Sequence, residues 1–70
     1  MIEVASNSSA LIGFSYDPEH KQLRIRFRTG ELYLYYGVPE PLVQRLIQAR
    51  SHGQYFNSTI RGRFAFDRLS

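Results

Sequence analysis

The sequence predicts a small α+β domain: a three-stranded antiparallel β-meander with one helix packed on a face and a second short C-terminal helix. Three observations predict it. Residues 22–36 alternate along two runs joined by a Thr-Gly pair. Residues 42–50 carry apolar side chains at helical spacing. Ser51-x-x-Gln54 has the spacing of a helix-capping box.

Residues 1–9, MIEVASNSS, end in a polar run and read as a short lead-in. From Leu11 to Asp17, Ile12, Phe14 and Tyr16 alternate with Gly13 and Ser15, which is a strand pattern. Asp17-Pro18 begins a turn, since the Asp side chain can cap it and Pro presets φ. Leu23, Ile25 and Phe27 then alternate with Arg24, Arg26 and Arg28 in a second strand. Thr29-Gly30 reads as a two-residue connection, with Gly30 free to take positive φ, and residues 31–36 form a third strand.

That loop length sets a register. Arg26 would face Tyr33, Arg24 would face Tyr35, and Ile25 would face Leu34. Opposite residues share a sheet face. One face is then Leu23, Ile25, Phe27, Leu32, Leu34 and Tyr36, and the other is Arg24, Arg26, Arg28, Glu31, Tyr33 and Tyr35. A four-residue loop at 18–21 pairs Tyr16 with Leu23, Phe14 with Ile25 and Ile12 with Phe27. This agrees with the same inner face and leaves Gly13 and Ser15 beside the arginines.

Pro39, Glu40 and Pro41 suit the first turn of a helix, where missing N–H donors cost nothing and a carboxylate meets the positive dipole end. Leu42, Leu46 and Ala49 line its expected core stripe, with Val43 and Ile47 beside it. A second helix over about 52–60 carries Tyr55, Phe56 and Ile60, and Gly62 terminates it. The tail, with Phe64 and Phe66, returns along a sheet edge or lies across a face. No repeat, linker or second domain is visible, so residues 1–70 read as one domain with its core over about 10–62.

Composition narrows the class. A chain of this length buries only about 60% of its unfolded surface. With no cysteine, no disulfide or thiolate zinc site can brace it, and a reducing compartment fits. No apolar run approaches the roughly 18 residues of a membrane span, and no basic-then-apolar leader opens the chain. The expectation is a cytoplasmic protein without a membrane partner. The net charge is +3, and eight of the nine basic residues are arginine, the residue suited to bidentate phosphate contact and ring stacking. Arg45, Arg50, Arg61 and Arg63 fall in a stretch from Pro41 to Phe66 that holds no acidic residue.

Catalysis finds little support. His20 lies in a turn and His52 at a helix boundary. Ser6, Ser8 and Ser9 lack a nucleophile elbow, and no glycine-rich phosphate loop is present. Asp17, Glu19 and His20 are ordinary turn composition, and a metal there would need a distant third ligand. The expectation is therefore no catalytic, cofactor or metal residue. The Arg/Tyr face is the stronger signal: Tyr33 and Tyr35 as stacking platforms, with Arg24, Arg26 and Arg28 as phosphate contacts, suit RNA or single-stranded nucleic acid. The alternative is a protein–protein interaction module using the exposed aromatic face or the tail, and the same residues also make good structural cross-strand pairs. The partner's identity and the oligomeric state stay open.

At Tyr33-x-Tyr35, Val38-Pro39, Ser51-x-Gly53-x-Tyr55-Phe56-Asn57 and Ile60-Arg61-Gly62, the chain resembles the KTSC domain family. Ser8-Ser9 and Tyr16-Asp17 extend the likeness, which spans about residues 4–66. This small domain occurs at the C-terminus of some lysyl-tRNA synthetases and as stand-alone bacterial or phage proteins. The synthetase association implies RNA binding by company rather than by mechanism. The resemblance also implies acidic residues where Arg24 and Arg26 stand, so the arginine stripe is a departure of this chain. The shared candidate site is then the late segment, with Tyr55 and Asn57 as polar contacts and Arg61 as a phosphate or carboxylate partner.

Overall fold

Asp17 ends one strand and starts a turn by its own side chain: its Oδ1 accepts from the Glu19 and His20 amides, and Lys21 completes the reversal at φ 55°. This is the first of the tight connections in a five-stranded antiparallel sheet. The computed structural model describes residues 1–70 as β1 (Ile2–Ala5), β2 (Leu11–Asp17), β3 (Gln22–Phe27), β4 (Leu32–Tyr36), α1 (Glu40–Gln48), α2 (His52–Tyr55) and β5 (Phe66–Arg68). A π-helical segment, Phe56–Ile60, continues α2. The strands lie in sequence order, β1-β2-β3-β4-β5. The α+β class and the two helical elements follow the sequence reading, but the sheet has five strands rather than three. The supposed lead-in supplies β1, whose Ile2 and Val4 pair with Tyr16 and Phe14. The tail supplies β5 along the β4 edge. Both strands are too short to show a pattern without a neighbouring edge to pair with.

The β3–β4 register departs by one residue from the expected one. The Phe27 amide donates to the Glu31 carbonyl at 2.9 Å, and the Gly30 amide donates back to Phe27 at 2.9 Å. The loop is therefore three residues, Arg28-Thr29-Gly30, with Gly30 at φ 100°. Leu23 then faces Tyr35, Arg24 faces Leu34, Ile25 faces Tyr33 and Arg26 faces Leu32. A one-residue slip moves every side chain of a strand to the other face. Tyr33 and Tyr35 join the inner face, while Leu34 and Tyr36 join the outer one with Arg24 and Arg26.

The β2–β3 register holds at Tyr16–Leu23 and Phe14–Ile25, with Ser15 facing Arg24 and Gly13 facing Arg26. It then shifts at a bulge between Leu11 and Gly13. The bulge turns Ile12 outward and lets Leu11 take the expected core position of Ile12. The core packs Leu11, Phe14, Tyr16, Leu23, Ile25 and Tyr35 of the sheet against Val38, Val43, Leu46, Phe56 and Ile60. Val43 and Leu46 are the fully buried centre of the α1 stripe, flanked by half-buried Leu42 and Ile47. Leu34 is buried too, but stands outside this cluster.

Two polar ties hold the layers together. The Tyr16 hydroxyl donates to the Val38 carbonyl at 2.6 Å, fixing β2 to the entry of α1. Asn7 closes the other end. Its side-chain amide donates to the Ala49 and Arg50 carbonyls, its Oδ1 accepts from the His52 amide at 2.9 Å, and its own amide donates to His52 Nδ1 at 3.2 Å. His52 is buried and lies edge-on to Phe14. With Nδ1 accepting, Nε2 carries the proton and donates to the Ile47 carbonyl at 3.1 Å. Ser51 Oγ accepts from the Gln54 amide, as the capping-box spacing requires.

Candidate nucleic-acid interface

The register divides the predicted Arg/Tyr face. Arg24 and Arg26 are exposed on the outer face, whereas Tyr35 is buried on the inner face with half-buried Tyr33 beside it. Arg28 sits in the hairpin loop and parts from the other two arginines. It lines a recess of about 340 Å³ with Tyr33 and Tyr35, with Asn57 of the π-segment and with Arg61, which caps that segment. Ser9, Ala10, Phe27, Thr29 and Glu31 complete the walls. One predicted site thus loses two arginines and gains two residues of the other. Tyr55 is not part of the recess; it packs half-buried against the core.

The chain builds this recess from three separated segments. The hairpin loop presents Arg28, strand alternation aims Tyr33 and Tyr35 inward, the π-segment carries Asn57, and Arg61 caps that segment's C-terminal end. Arg61 Nη1 donates to Asn57 Oδ1 at 3.4 Å. The carboxylate pairings are His20–Asp17 and Arg68–Glu31. Arg28 and Arg61 therefore have no carboxylate within 4.0 Å. Glu31 at the rim is engaged, at 3.7 Å from Arg68 and accepting from Thr29 Oγ1 at 2.7 Å. Burial raises the Tyr35 hydroxyl pKa above 10.0, against the pull of nearby Arg61 and with the push of Tyr33. The phenol stays a neutral donor beside two cations.

Aromatic rings extend from the recess's Tyr33 and Tyr35 wall to Phe66, which lies beside the lining rather than in it. Phe66 pairs with Tyr35 across β4–β5 and stacks on Tyr33 with centroids 5.3 Å apart and an interplanar angle of 21°. Tyr33 stacks in turn on Tyr35 at 6.4 Å, and Phe56 meets Tyr35 edge-on. Phe66 is 51% exposed. Sequence reading missed it as a site residue because the path of the tail was open. The alternation of Phe64 and Phe66 was the available signal.

The outer face carries a second, shallower concavity of about 480 Å³ over Gly13 and Ser15, with Arg24, Arg26 and Glu3 at its sides. Elsewhere, Asp17, Glu19 and His20 bring one ligand-type atom each within 4.8 Å of one another, so the third atom is local rather than distant. Asp17 is already used by the turn and by His20 Nδ1 at 2.7 Å, and these bonds hold its carboxyl below the usual value. No helix is long and apolar enough to cross a membrane.

Known proteins resemble this chain in sequence, and one solved structure matches its fold. The chain is similar to an uncharacterized protein of Stutzerimonas stutzeri, 43% identical over 61 residues that cover 87% of this chain and 86% of the relative. It is also similar to a lysine–tRNA ligase of Nostoc punctiforme, 40% identical over 62 residues; these cover 89% of this chain but 11% of the ligase, so the chain corresponds to a small part of that enzyme. The crystal structure of a KTSC domain protein from Yersinia pestis matches with a TM-score of 0.91 at 34% identity, covering 99% of this chain and 97% of that one. The KTSC domain model itself matches residues 7–64. The chain belongs to the KTSC domain family.

Proposed function

We propose that this chain is a non-enzymatic binding module for RNA or single-stranded nucleic acid, and that it binds in the recess between the β3–β4 hairpin and the π-segment. One observation carries the reading: Arg28 and Arg61, both without carboxylate partners, converge beside a stacked aromatic series whose outermost ring is half open. Guanidinium groups without carboxylate partners suit phosphate oxygens, and an exposed ring face suits an unstacked base. The neutral Tyr35 hydroxyl and the Asn57 amide offer hydrogen bonds to a sugar or a base edge. Similarity to part of a lysine–tRNA ligase supports the same reading, because that enzyme's named substrate is an RNA.

The test is a titration with RNA and single-stranded DNA across a salt series. Replacing Arg28 and Arg61 together with Ala removes two phosphate contacts and lowers the log–log salt slope by about 1.4. Phe66→Ala costs about 1–3 kcal/mol of affinity and leaves the slope nearly unchanged. A parent protein that binds neither polymer at low salt overturns the proposal, and the exposed Phe66 then becomes the place to test for a protein partner.

A further inference from the structure

Arg24 and Arg26 do not share a face with Tyr33 and Tyr35, yet their situation is unusual for surface arginines. Both are exposed, and neither guanidinium has an ion-pair or hydrogen-bond partner on the chain. They stand two residues apart on one face of β3, about 7 Å from each other along the strand. The floor beside them is bare: Ser15 and Gly13 face them across β2, and Ala5 lies beyond. That bareness is built into the strand pairing. A Cβ on Gly13 would lie 2.8 Å from the Val4 carbonyl oxygen, so β1 approaches too closely for any side chain there. Ile12, turned outward by the bulge, and Leu32 give the concavity apolar flanks.

The outer concavity and the inner recess are two sides of one wall. Arg26 and Leu32 line the first, while the adjoining Phe27, Arg28 and Glu31 line the second. Arg24, Arg26, Arg28 and Arg61 thus form a basic track that passes around the hairpin end. Glu3 is the carboxylate in the outer concavity, and it sits on β1, at the end away from the hairpin. Within the outer concavity, charge therefore favours an anion over β3 rather than near the β1 edge, and at the hairpin the Glu31 carboxylate is already held by Arg68 and Thr29.

From this placement, and resting on the nucleic-acid reading above, we infer that a bound single strand does not end in the recess but crosses the hairpin end onto the outer face, where Arg24 and Arg26 hold its phosphates. The occupant is one continuous polyanion that touches both faces of the sheet.

Strand length is the discriminating variable. Oligouridylates of about three and about twelve nucleotides are titrated against the parent, against Arg24→Ala/Arg26→Ala and against Arg28→Ala/Arg61→Ala, each shown folded by its thermal transition. An Arg24→Gln/Arg26→Gln protein replaces the outer variant if truncation disturbs the sheet. The outer variant is expected to lower the salt slope by about 1.4 for the longer strand and to leave the short one unchanged, while the recess variant weakens both. A longer strand that binds the outer variant with the parental slope overturns the inference and leaves the recess proposal standing. Equal weakening of both lengths by the outer variant also overturns it, because the outer arginines would then serve the short strand directly. A parent that binds neither length overturns both.

Discussion

The Phe27 amide donates to the Glu31 carbonyl at 2.9 Å, and this bond decides which side of the sheet Tyr33 and Tyr35 occupy. It needs a three-residue loop whose last member, Gly30, sits at φ 100°. No atom lies within 4 Å of the position a Gly30 Cβ would take, so only the backbone conformation resists a side chain there. Gly30→Ala is expected to cost about 1–3 kcal/mol in urea unfolding without creating a clash. A variant as stable as the parent would show that the loop relaxes to another turn, and the Tyr33 face would need direct measurement by cross-strand amide contacts in NMR.

Asn7 carries three side-chain hydrogen bonds that join residues 42 to 45 positions apart in the chain. Its replacement by Ala leaves the Ala49 and Arg50 carbonyls and the His52 amide without it. The expected loss is about 1–3 kcal/mol, since each net bond contributes roughly 0.5–1.5 and two of them are solvent-exposed. Hydrogen exchange should speed up most over residues 2–5 and 52–55. Unchanged exchange in β1 would mean that its pairing with β2 alone holds the strand.

Tyr16, Tyr35 and Tyr36 all have hydroxyl pKa values raised above 10.0. Burial dominates at Tyr16, helped by the negative charges of Glu40 and Asp17. Burial also dominates at Tyr35, and the hydrogen bond to Asp67 dominates at Tyr36. A group whose folded pKa is raised contributes stability that is fully present below the unfolded value and is lost as pH rises through the folded value. Unfolding free energy is therefore expected to fall above about pH 10. Tyr16→Phe removes the donor to the Val38 carbonyl, costs about 1–3 kcal/mol at neutral pH, and makes the alkaline decline shallower. Urea midpoints at about pH 8 and about pH 11 measure both effects; an unchanged decline in the variant assigns it to other groups.

The β2 and β3 faces were legible because Leu23, Ile25, Arg24 and Arg26 alternate cleanly, and a four-residue turn at Asp17-Pro18 fits one register. β4 was not. Residues 32–36, LYLYY, are apolar or aromatic in both phases, so hydrophobicity cannot choose between them and the loop alone decides. Thr29-Gly30 suits a two-residue loop as well as the end of a three-residue one. Leu11-Ile12 hid the bulge for a similar reason, since either residue can fill the same core position. Arg28, Tyr33, Tyr35, Asn57 and Arg61 were all named from sequence, but in two groups. Their convergence depends on where the α1–α2 crossing returns the chain, and no local pattern encodes that.

In a sheet ordered β1-β2-β3-β4-β5, each strand lies beside its neighbour in the chain. The first three pairings close across short connections, so hairpin zipping on a scale of about 1–10 μs suffices for each. The fourth must first close the loop from Gly37 to Ala65, which contains both helices. Arg61 and Phe66 lie within or just beyond that loop and arrive with it. Under the nucleic-acid proposal, the rate at which binding competence appears after refolding should therefore follow the slowest topological step, and a fluorescent oligonucleotide would time the last closure of the chain rather than its first collapse.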